Sequence, residues 1–365
     1  MASREEFTGP FSKMTHPIAV LILYALLVMG AFPRAANGQG TAPTLEPYLR
    51  GIGLEAAQLE SAERGRVVVK LLATRNEREV AVFGMIRIRS SQGVVLSRLL
   101  DLGRSLAANG RRFGIFHDPP QPADVAGVSS DESEYRELRD CRPGDCRFKL
   151  PAGEMKTFAQ EVDWSSTDAK AQVDRLLRDG LLEMVRDYRS RGDSAMFIYD
   201  DKGGVRSNDV SEELATLMSQ RLEYPQELRR YLTMYPSGRP EGARDFLYWA
   251  EDRAPRLRPT LTVRHVVGYA PPGPLGSAFV ATKQIYASHY LDGALELLEV
   301  VHLGSAGERS TFLLAVRWFR IDRLSRGPLD IRGRVEKAFL EELRSDLARH
   351  RSALEAPLGG GPADQ

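Results

Sequence analysis

The feature that most constrains this chain is an uninterrupted apolar run, Pro17 to Phe32 (PIAVLILYALLVMGAF), which follows a polar stretch and precedes small residues. A spanning helix needs about 20 apolar residues to cross a hydrocarbon core about 30 Å thick, and this run is shorter. Polar, apolar and small segments in that order read as a cleaved secretory signal, with Ala36 and Gly38 at the positions a signal peptidase inspects. Residues 1–38 are therefore expected to be a signal peptide. The mature chain is expected to be exported, periplasmic or extracellular, with no membrane span left after cleavage. No cysteine follows the run to accept a lipid.

Export places the only cysteines, Cys141 and Cys146, in an oxidising compartment. They flank Arg-Pro-Gly-Asp, and Pro-Gly suits the centre of a type II turn, which brings its ends close enough for a disulfide. The spacing is not Cys-x-x-Cys, and two further ligands at metal-binding spacing are missing, so no redox pair and no metal site is expected. With 42% hydrophobic residues, 27% charged and a net charge of +1, the composition is that of a folded protein. It offers no basic stripe for a phosphate backbone, so nucleic acid is not an expected partner.

Period changes along the chain give its organisation. Arg66 to Leu72 and Val80 to Ile88 read as a β-hairpin, Ser91 to Leu106 as an amphipathic helix, and Arg112 to His117 as a strand closed by Pro119-Pro120. Residues 39–118 thus form the first part of an α+β domain. Residues 119–254 read as a helical insertion carrying the Cys141/Cys146 turn. It opens with a connection of no sustained period to Asp140, contains a strong helix from Ser166 to Arg191, and ends with helical pieces up to Asp252. Residues 255–354 read as an antiparallel meander, with Asp292-Gly293 as a type I′ hairpin turn, and a long closing helix from Ile331. Residues 355–365 are expected to be a disordered tail.

Catalytic signatures are absent. There is no Gly-x-Ser-x-Gly elbow, no phosphate-cradling glycine loop and no His-Glu-x-x-His pair, so no catalytic residue, cofactor or metal is expected. A strict period of two along Ala278 to Leu291 places Lys283 and His289 on one face, and Tyr286 and Tyr290 on the other. Either pair would orient a ligand's polar end if its face looked into a cavity; both also suit the rim of an ordinary half-buried sheet. Trp318, in the strand Thr311 to Asp322, and Phe339, in the closing helix, complete the candidate ligand-binding set.

The order strand, helix, strand, meander and closing helix, together with the Phe312 to Leu347 segment, resembles the START-like, helix-grip superfamily. That resemblance implies an α+β fold in which a curved antiparallel sheet wraps a long C-terminal helix, here with a helical insertion. It also implies binding of a lipid or other apolar small molecule in a sheet/helix cavity lined by Val335, Phe339 and Leu343. The chain also resembles exported bacterial proteins of unassigned function. The expected activity is binding without catalysis. A hydrolase- or cyclase-type enzyme using His289 with Lys283 or a tyrosine in the same cavity is the alternative, and a structural or partner-binding envelope protein a third reading. Nothing in the sequence sets the oligomeric state.

Overall fold

In a computed structural model of the protein, the described residues are 49–89, 92–101, 112–222, 224–253, 258–272, 277–303, 310–322, 324 and 330–356. The segment expected to be a signal peptide, the expected end of the first amphipathic helix and the extreme C-terminus lie outside them. Among the described residues no helix is long and apolar enough to cross a membrane.

Eight antiparallel strands form the central sheet. In chain order they are β1 (Val68–Leu72), β2 (Glu79–Ile88), β3 (Phe113–Ile115), β6 (Arg244–Asp252), β7 (Thr260–Tyr269), β8 (Ala278–Ala287), β9 (Leu291–Leu303) and β10 (Ser310–Ile321). Their order across the sheet is β1-β2-β10-β9-β8-β7-β6-β3. A two-stranded ribbon, β4 (Ile198–Tyr199) with β5 (Val205–Arg206), stands apart. The β1–β2 hairpin, the β7 to β10 meander and the closing helix follow the sequence reading. So do the α+β class and the helical insertion, giving a helix-grip-like arrangement.

Helices cover both faces of the sheet, as they must where both faces of the strands are apolar. On one face lie α1 (Ala56–Glu63) and the insertion helices α3 (Glu132–Asp140), α4 (Ala152–Glu161), α5 (Ala169–Arg191), α6 (Ser207–Ser219) and α7 (Gln226–Met234). On the other lie α2 (Gln92–Leu100) and the closing helix α8 (Ile331–Glu355). A cystine joins Cys141 to Cys146, and its turn is held by Gly144 N–H donating to Asp200 O at 2.7 Å and Cys146 N–H to Asp201 O at 3.2 Å.

Four local expectations change. Residues 244–252 are a sheet strand, so the insertion ends before them: Phe246 and Tyr248 alternate with Leu247 and Trp249 onto two covered faces, a pattern that suits a strand as well as a helix. The connection before Asp140 contains α3, begun by Asp131, whose carboxylate accepts from Ser133 and Glu134 N–H while Glu134 reaches back to Asp131 N–H. Asp292-Gly293 is strand, not turn; the β8–β9 turn is Ser288 to Tyr290, with Tyr290 in the left-handed region (φ 60°). Asp292 is buried and takes Lys149 Nζ at 2.7 Å and Arg78, while Gly293 leaves room for α6, where a Cβ would lie 2.6 Å from Val210 Cγ1. Finally, an extra residue at Ile285 shifts the β7–β8 register, so Tyr286 pairs with Val263 on the same face as Lys283, not the opposite one.

Candidate ligand site

Strand registers gather residues distant in sequence into rows on the face that carries α2 and α8. The first row is apolar with a glycine at each end: Gly84, Ala315, Leu298, Val280, Gly268. Each glycine marks the close approach of a helix. A Cβ on Gly84 would lie 2.6 Å from Leu347 Cδ1 and 3.0 Å from Leu343 Cδ2 of α8, and one on Gly268 would lie 2.6 Å from Leu100 Cδ1 of α2. Leu343 and Leu347 are buried, so sheet and closing helix are in full contact along this row.

The next rows change character. Val82, Arg317, Glu296, Thr282 and Val266 stand side by side, followed by Tyr248, Arg264 and Gln284. These charged groups sit on strands with neighbours on both sides, yet Arg264 keeps 20% of its side chain exposed, Asp252 24% and Glu296 25%. A residue in mid-sheet stays accessible only where the layer above it is open. Around them Phe113, Phe246, Phe319, Phe339, Leu100 and Leu340 are only partly buried, with Phe319 stacked on Phe339 at 4.3 Å between centroids. The result is a polar floor with apolar walls.

Every charge on the floor is matched. Arg264 pairs with Asp252 and donates to Tyr248 Oη at 3.2 Å; burial pulls its pKa down, but Asp252 and Tyr248 outweigh that and raise it. Arg317 Nη2 lies 3.1 Å from Glu296 Oε1 and 2.7 Å from Asp346 Oδ2, and Arg349 also pairs with Asp346. His350 donates through Nδ1–H to Asp346 O at 2.8 Å, which leaves Nε2 as the acceptor nitrogen. Burial lowers its pKa, opposed by Glu296 and assisted by Arg317 and Arg349, so the imidazole favours its neutral form. Two buried atoms of the floor have no hydrogen-bond partner among the described residues: Oε1 of Gln284, a side chain only 3% exposed, and Nε of Arg317.

The opposite face carries a second polar row, Leu247, His265, Lys283, Leu295 and Trp318, closed over by the insertion. Lys283 pairs with Asp193 and donates to Leu232 O at 2.6 Å; burial lowers its pKa against the pull of Asp193. Tyr188 Oη lies 3.0 Å from His265 Nδ1, and His265 Nε2 lies 3.2 Å from Asp245 Oδ2. Burial pushes Asp245 up, but His265, Arg239 and Tyr231 together hold it below the ordinary carboxylate value; burial lowers His265 despite Asp245. The imidazole therefore donates to Asp245 and accepts from the Tyr188 hydroxyl, a chain that ties α5, β6 and β7 together.

The residues singled out from sequence fall in different places. Lys283, Tyr286 and Trp318 are buried on the insertion face. His289 and Tyr290 lie in the β8–β9 turn, where His289 Nδ1–H donates to Arg147 O at 2.9 Å and Tyr290 Oη accepts from Arg258 N–H at 3.2 Å. Phe339 alone borders the polar floor. Arg264, Gln284, Glu296 and Arg317 carry the floor instead, and one signal for the arginines is in the sequence: a lone arginine inside an apolar strand, in TLTVRHVVGY and TFLLAVRWF. A separate open groove of about 540 Å³ lies between β1 and the start of α8, but its Arg332 is already committed to Glu336 at 2.7 Å and to Glu79 O at 3.0 Å.

No family model and no curated protein matches the chain. Among solved structures it is similar to one described as the human StarD13 (DLC2) lipid transfer and protein localization domain, with 8% identity over 84% of this chain and 99% of that one and a TM-score of 0.28. A likeness of that size carries neither a fold nor a ligand across.

Proposed function

We propose that this chain is an exported binding protein that seats an amphipathic, mainly apolar small molecule, lipid included, on the floor between α2, α8 and strands β6 to β10, without chemical conversion. The observation that carries this reading is the set of mid-sheet charged side chains that remain accessible between partly exposed aromatic walls. An apolar body would cover Phe113, Phe246 and Phe319, at about 25 cal/mol per Å² of surface removed from water. The polar rows would fix the orientation of its other end. The cystine in the insertion supports an oxidising compartment. The enzymatic alternative pairs His289 with Lys283 or with a tyrosine in one cavity; among the described residues Lys283 bonds Asp193 and Leu232 O, whereas His289 bonds Arg147 O and lies 5.7 Å from Tyr290 between ring centroids, in the β8–β9 turn.

Native mass spectrometry of the gently purified mature protein tests the proposal. A co-purifying apolar molecule is expected, and it should be lost from a Thr282→Trp variant, whose indole would fill the floor while circular dichroism stays unchanged. Equal ligand occupancy in the variant, or none in either protein even after incubation with long-chain lipids, would sink the reading.

A further inference from the structure

Resting on that reading, we infer that the ligand's polar end is uncharged and carries a hydroxyl, as in a long-chain alcohol, rather than a carboxylate, phosphate or amine. Two observations carry the inference: charge balance and an unpartnered amide. Arg264, Arg317 and Arg349 face Asp252, Glu296 and Asp346, so the floor has no net charge to offer either sign of head group. The other titratable neighbours, Tyr248 and His350, add none at neutral pH, since burial raises the phenol's pKa and lowers the imidazole's. Arg317 Nε also lacks a hydrogen-bond partner among the described residues, but an anionic head accepting from it would add a fourth negative charge to a floor of three arginines and three carboxylates, and one displacing a carboxylate would leave that carboxylate partly desolvated and unpaired. A cationic head faces the same difficulty with the arginines.

Gln284 supplies the positive part of the argument. It stands beside Arg264 across β7 and β8, one alternation from Thr282, and its buried Oε1 lacks a partner among the described residues. A buried acceptor left unpartnered is a standing cost that a ligand donor would remove. A hydroxyl can donate to the amide oxygen or accept from the amide nitrogen, so it suits the side chain in either orientation, whereas a ketone or a quaternary ammonium does not. The aromatic walls then take the apolar body.

The test uses three probes with one alkyl chain and different heads, hexadecanol, palmitate and hexadecylamine, delivered from cyclodextrin to the mature protein and read by calorimetry. Hexadecanol is expected to bind about tenfold or more tighter than either charged probe, and Gln284→Leu is expected to weaken hexadecanol about tenfold, which is about 1.4 kcal/mol. Because Leu replaces a buried amide that has an unpartnered oxygen, the variant should melt no lower than the parent, which separates lost recognition from lost folding. If palmitate or hexadecylamine binds as tightly as the alcohol, or if Gln284→Leu leaves the alcohol's affinity unchanged, the inference is overturned while the amphipathic site stands. If none of the three binds, both fall.

Discussion

Gly84 shows how one residue decides where the closing helix meets the sheet. With no side chain it lets Leu343 and Leu347 of α8 settle against β2 in the fully packed row. Gly84→Ala would place a methyl 2.6 Å from Leu347 Cδ1, in a layer already buried, and overpacking of this kind costs about 1–3 kcal/mol. The expected outcome is a lower denaturation midpoint with an unchanged m-value. Adding Leu347→Ala should cost less in that background than in the parent, since the two side chains compete for one space. Additive losses in the double-mutant cycle would show that helix and strand do not meet there. Asp292 makes the converse point, since a dipeptide that reads locally as a turn is fixed in a strand by Lys149 and Arg78, residues no local pattern connects to it.

At the scale of elements, the cystine turn is a local staple, because its two ends are five residues apart and so short a ring constrains the unfolded chain less than a 15-residue loop would. Replacing both cysteines by serine is therefore expected to cost less than about 3 kcal/mol. Hydrogen exchange should quicken at Gly144 and Cys146, whose N–H groups bond Asp200 and Asp201, and stay slow in β7 to β9. Loss of protection across the sheet would mean the insertion is not folded independently of its staple.

Elements with one clear period were legible from the chain: β1, β2, α5, the meander and α8. Two were not. The segment Phe246-Leu247-Tyr248-Trp249 is apolar toward both layers, so neither period stands out. Helix α3 is signalled only by its capping box, Asp131 with Glu134, ahead of a mostly polar stretch. The polar floor was illegible for a different reason. Tyr248, Arg264, Gln284, Glu296 and Arg317 come from five strands and become neighbours through register, and a single extra residue at Ile285 redirects the end of β8, Tyr286 and Ala287.

For the whole molecule, the two polar rows of the sheet make stability depend on pH with a definite sign. His265 on the insertion face and His350 on the closing helix both have folded pKa values below the ordinary 6.5. As pH falls through 6.5 the unfolded chain takes up a proton at each site and the folded chain does not, so stability that is full above 6.5 declines below it. The slope is up to about 1.4 kcal/mol per pH unit for each histidine. Asp245, whose pKa is lowered, adds a loss of the same sign at still lower pH, below its ordinary 3.8. Glu154 and Asp201, raised by burial, act the other way, because the folded state then holds the extra proton and gains stability on acidification. The histidine contribution is therefore cleanest just below 6.5. Denaturation midpoints collected across that interval should fall with acid in the parent. They should fall less steeply in His265→Gln and in His350→Gln, each compared with its own value at mildly alkaline pH, and least in the double variant. A parent curve flat below 6.5 would mean that these imidazoles are as easily protonated in the folded protein as in water, contrary to the full burial of His265 and the partial burial of His350.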